Sequence, residues 1–140
     1  MSNEENARTF EGVLTRYSEE PNTNGHIFNQ MSVTHFPKIL IIYLNAEDSF
    51  GSNPNKAVGV AKILKTPIEG DVKARITIHD ELALGKLRFE KNVFVSCSYQ
   101  GKFREGGKIV KEATLQGAFL SDSHTAKDIL PLVEWEEING

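Results

Sequence analysis

From Ile39 to Leu44 the chain carries six apolar residues in a row, bounded by Lys38 and Asn45. Six residues is the length of a strand, too short for an ordinary buried helix and far too short to cross a membrane. Pro37 stops any helix entering from upstream, and isoleucine and tyrosine favour pleated backbone. Because the run does not alternate, both of its faces call for cover. It reads as the central strand of an antiparallel β domain. Leu40, Ile42 and Leu44 share one face, and Ile39, Ile41 and Tyr43 the other. The Tyr43 hydroxyl seeks water or a partner, so the Ile39, Ile41 and Tyr43 face is read as the outer one.

Other segments fall into place around this run. Thr9 to Tyr17 alternates loosely as a first strand, and Glu19 to Gly25 is a long turn rich in Pro, Asn and Gly. His26 to Phe36 reads as a second strand and Asp48 to Asn55 as a loop. The small apolar residues from Ala57 to Ala61, with Gly59 among them, predict a strand that permits a close backbone approach or a bend. Val72 to His79 alternates most cleanly, with Val72, Ala74, Ile76 and Ile78 inward and Lys73, Arg75, Thr77 and His79 outward. Residues 80–90 fit either a strand kinked at Gly85 or an irregular loop.

Val93 to Tyr99 is a further strand, and Gly106-Gly107 marks a hairpin before the strand from Ala113 to Leu120. Asp122 and Ser123 would cap one helical turn over residues 125–130, which Pro131 would end. Leu132 to Ile138 reads as a final edge strand. The resulting pattern is all-β, an antiparallel sandwich or small barrel of about eight strands. Residues 1–7 are polar and expected to be a disordered tail, leaving 8–140 as a single all-β domain.

Composition reinforces this picture. At 140 residues the chain can bury a core without staples, and β-branched and aromatic residues outnumber Ala, Leu, Met and Gln. The net charge is −3, with acidic and basic residues interspersed. With no basic stripe to neutralise phosphates, neither nucleic acid nor an anionic membrane is an expected partner. One cysteine, Cys97, excludes an intramolecular disulfide, and no apolar leader opens the sequence, so the cytoplasm is the expected location.

Candidate chemistry is sparse. His26, His35, His79 and His124 are not spaced as metal ligands with one another or with Cys97, and no cofactor is implied. Asp122-Ser123-His124 holds the residue types of a nucleophilic triad. Sequence neighbours cannot easily face one another, however, and no nucleophile elbow is present. His79-Asp80-Glu81 would suit acid–base work only if desolvated. In a closed barrel, Arg75, His79 and Tyr99 are the candidate residues for a small-molecule ligand.

The first functional expectation is therefore a non-enzymatic interaction or structural domain that forms a homo-oligomer through Ile39, Ile41 and Tyr43, since an uncovered apolar strip is an association site. The alternative is small-molecule binding in a barrel cavity. A hydrolase-like enzyme using His79 or His124 comes third.

Overall fold

The computed structural model describes residues 7–16, 27, 33–35, 37–51, 54–65, 71–103, 109–122 and 129–138. Among them are eight strands: β1 (Arg8–Arg16), β2 (Val33–His35), β3 (Ile39–Tyr43), β4 (Ala57–Lys65), β5 (Asp71–Ile78), β6 (Phe94–Phe103), β7 (Val110–Ser121) and β8 (Glu136–Ile138). Two α-helices, α1 (Ala46–Gly51) and α2 (Glu81–Phe89), are set among them. All eight strands belong to one curled sheet forming a half-barrel, and no second sheet that would make a sandwich lies among the described residues.

Across the sheet the order is β6, β7, β3, β4, β5, β1, β8, with β2 sharing the β3 side of β7. Expected hairpin partners are antiparallel: β3 with β4, β4 with β5, and β6 with β7. The expectation of a wholly antiparallel sheet is corrected at β7. Both β2 and β3 run parallel to it, Val33 beside Glu112 and Ile42 beside Ala118. Hairpin turns force neighbouring strands antiparallel, but no turn constrains a junction made by strands this far apart in sequence. β2 and β3 lie end to end along one edge of β7, and Pro37 between them cannot donate to the ladder.

The core occupies the concave side of the sheet. Phe10, Leu14, Leu40, Ile42, Ile76, Ile78, Val95 and Leu120 are buried there with Ala61, Ala74 and Ala118. The alternation expected for residues 72–78 is borne out, with Val72, Ala74, Ile76 and Ile78 all fully buried. The helix α2 closes over the same core.

Residues 80–90 are thus neither strand nor loop. The Asp80 carboxylate accepts a hydrogen bond from the Ala83 N–H at 3.1 Å, capping the helix. Ala83, Leu84 and Leu87 then fall on one helical face and join the core. The loop expected from residue 48 onward also contains helix: α1 starts behind Asn45, whose side-chain oxygen accepts from the Asp48 N–H at 2.8 Å.

Near the two ends of the sheet β1 comes close to β6, and the segment carrying Leu132 and Trp135 touches both sides of this seam. The Leu132 N–H donates to the Val93 carbonyl at 2.8 Å just before β6. Trp135 packs over Gly12 of β1, where an added Cβ would stand 2.6 Å from the indole ring. The chain expected as one edge strand from Leu132 is in fact a 3₁₀ turn, Leu132–Glu134, and the short β8. Arg8 pairs with Glu137 at 2.7 Å and fastens β8 to β1, and its hydrogen bond holds the Glu137 carboxyl below the usual range. The close approach expected at Gly59 is present as well, since a Cβ there would collide with the Thr77 carbonyl oxygen.

Candidate functional site on the outer sheet face

Cross-strand register decides which side chains meet on the convex face. Two rows run across β3, β4, β5, β1 and β8. One is Ile41, Val60, Thr77, Thr9 and Ile138; the other is Ile39, Lys62, Arg75, Glu11 and Glu136. Each member is the direct partner of the next, so each row lies on a single face. The Thr9 and Thr77 hydroxyls hydrogen-bond at 3.1 Å, and Arg75 pairs with Glu11 at 3.0 Å.

Apolar surface remains open on this face. Ile39 is 59% exposed and Val60 37%, while Ile41 is half-buried. Leu40 and Ile42, alternating with these residues, are buried in the core as expected.

Tyr43 departs from the expectation of a wet outer residue, being only 4% exposed. It lies beside Phe119, which pairs in turn with Ser96, and Ser96 is also buried although it alternates with core-facing Val95 and Cys97. The helix α1 packs on β7, β3 and β6 and covers this end of the outer face. Its Ser49 is buried against the sheet. The chain therefore covers the Tyr43 end of the strip itself and leaves the Ile39 end open.

The other candidate residues do not converge. Arg75 is on the outer face, bonded to Glu11, and lines no interior cavity. His79 is half-buried just after β5, its backbone N–H donating to the Val58 carbonyl at 3.0 Å. Asp80 beside it is engaged as the α2 cap and Glu81 is exposed, so no acid–base cluster forms there. Tyr99 sits in β6 opposite Leu115. His26 and His124 lie outside the described residues, as do residues 1–6 of the expected tail.

His35 is exposed and bonds Glu112 at 2.9 Å. Cys97 is buried, and desolvation pushes its thiol up to about 12. Among the described residues no three His, Cys, Asp or Glu side chains are grouped to hold a metal ion, and no helix is long and apolar enough to cross a membrane.

The hydrophobic pattern alone does not reveal Val60, Lys62 and Glu136 as members of this surface. Val60 and Lys62 alternate with buried Ala61, but only the pairing of β4 with β3 and β5 reveals which neighbours they meet. No family model, no curated protein and no solved structure matches this chain.

Proposed function

We propose that this chain is a non-enzymatic, self-associating β domain whose contact surface is the outer sheet face around Ile39, Ile41 and Val60. The observation that carries this reading is the contrast along one face: Tyr43 is covered by α1, whereas Ile39 and Val60 are exposed. Contiguous apolar side chains on an antiparallel sheet, rimmed by charge, are the usual mark of a protein–protein surface. A second copy of the same face is the simplest cover, because most soluble oligomers are symmetric and built from identical chains.

Sedimentation velocity over a wide concentration range tests the proposal. The unmutated chain sediments as a dimer or larger species, and Val60→Lys shifts it to a folded monomer. A chain that stays monomeric at millimolar concentration overturns the reading.

A further inference from the structure

Self-association leaves open how two copies would meet, and the charge order on the outer face constrains it. Resting on the reading above, we propose an isologous dimer whose two-fold axis runs parallel to the strands and passes between β5 and β1. The row from β4 to β8 reads Lys62, Arg75, Glu11, Glu136: two cations followed by two anions. Arg75 and Glu11 neutralise each other within the chain at 3.0 Å. Lys62 and Glu136, at the two ends, form no ion pair with any described residue.

A two-fold axis along the strands lays the row against its own reverse. With the axis between β5 and β1, Lys62 stands opposite Glu136 of the second copy, and Arg75 opposite its Glu11. Within this row every cation then meets an anion, and the Lys62–Glu136 junction forms twice in the dimer. An axis along β4 would oppose Lys62 to Lys62, and one along β5 would oppose Arg75 to Arg75. An axis between β4 and β5 would oppose Lys62 to Arg75. Each of these brings like charges together, which is costly at an interface.

The neighbouring row agrees with the same axis. It reads Val60, Thr77, Thr9, Ile138, so Thr77 meets Thr9 of the second copy and Val60 meets its Ile138. The short threonines lie at the axis and the longer side chains further out, where two outward-curved sheets diverge. Ile39 and Ile41 come beside the β8 edge of the second copy. Strands β4, β5 and β1, eight or nine residues long and about 4.8 Å apart, together with the short β8, present on the order of 450 Å² per partner, the size of a weak, reversible contact.

The test is a charge swap in the full chain, read by analytical ultracentrifugation with near-ultraviolet circular dichroism to confirm folding. Lys62→Glu and Glu136→Lys each weaken dimerisation at least about fivefold, because symmetry repeats each repulsion twice. An equimolar mixture of the two variants recovers the dimer, since both junctions become Glu–Lys again, and the double variant recovers it alone. If the unmutated chain dimerises and the single variants do so equally well, or the mixture fails to recover, this axis is wrong although self-association stands. If the unmutated chain is monomeric, the underlying reading falls with it.

Discussion

Two ends of one sheet face meet different fates in this protein. At the Tyr43 end, the chain turns back through α1 and buries Tyr43 and Ser96 beneath its own helix. At the Ile39 end, four residues earlier on the same strand, apolar side chains of β3 and β4 face water. Pattern and composition do not differ between the two ends, since both are parts of one apolar run. The difference lies in where a six-residue helix has room to fold. A doubly apolar strand is therefore a statement about demand for cover, and topology decides whether the chain or another molecule meets it.

The largest effect sets the two faces of β3 against each other. Ile42 is fully buried between Gly59 and Ala118, so Ile42→Lys strands an unpaired charge in the core and the protein does not fold. The milder Ile42→Ala costs ~2–5 kcal/mol. Ile41→Lys, one residue away on the half-buried outer face, folds and reads out as a loss of association. Thermal melts of the two lysine variants check this. If Ile41→Lys unfolds as completely as Ile42→Lys, the outer face is as essential to folding as the inner and the contrast disappears.

Tyr43→Ala comes next and bears on the covered end. Removing a buried aromatic side chain beneath α1 costs about 3 kcal/mol. The same truncation at Ile39, Ile39→Ala, stays within about 0.5 kcal/mol because that side chain is mostly in water. Chemical denaturation of the pair gives the difference directly, and equal losses at the two sites would erase it.

How far this arrangement could be read in advance depends on the range of the interactions involved. The Val72–Ile78 alternation and the Ile39–Tyr43 strand were legible because local pattern alone specifies them. The helix α2 was not, because Leu82 and Phe89 are apolar yet 68% and 88% exposed, which blurred the helical face made by Ala83, Leu84 and Leu87. Its one local sign was Asp80 three residues before Ala83, the spacing of a cap. The parallel junction of β3 with β7 and the dry position of Tyr43 depend on contacts between residues far apart in the chain, on which periodicity is silent. The candidate surface was legible in half: Ile39 and Ile41 from their own strand, but Lys62, Val60 and Glu136 only through register.

A smaller effect is expected at the helix itself. Asn45 caps α1 through the 2.8 Å bond from the Asp48 N–H, and Asp48 is held in turn by Lys56 at 3.4 Å. Asn45→Ala removes the cap and costs about 1 kcal/mol. Since the helix is only six residues long, it has little propensity of its own, and packing on β7 and β3 supplies most of its stability. Weakening the cap therefore loosens the cover over Tyr43 before it touches the core. Amide hydrogen exchange should rise at residues 46–51 and at Tyr43, while Leu40 and Ile76 keep their protection. Exchange that rises equally across the sheet would mean that α1 is part of one cooperative core rather than a separable cover.

The smallest expected change in stability belongs to the open end, and it is the most informative about function. Ile39→Ser exchanges a 59% exposed apolar side chain for a polar one without disturbing the backbone pairing with Lys62. Surface substitutions of this kind alter folding by no more than about 0.5 kcal/mol in either direction. In a self-associating chain the same change removes apolar area from the flank of the contact, so the dissociation constant rises while the melting temperature of the dilute monomer is unmoved. Measuring both on one sample separates the two roles. A lower melting temperature with unchanged association would make Ile39 a folding residue, and the open end of the face would then be no surface for a partner.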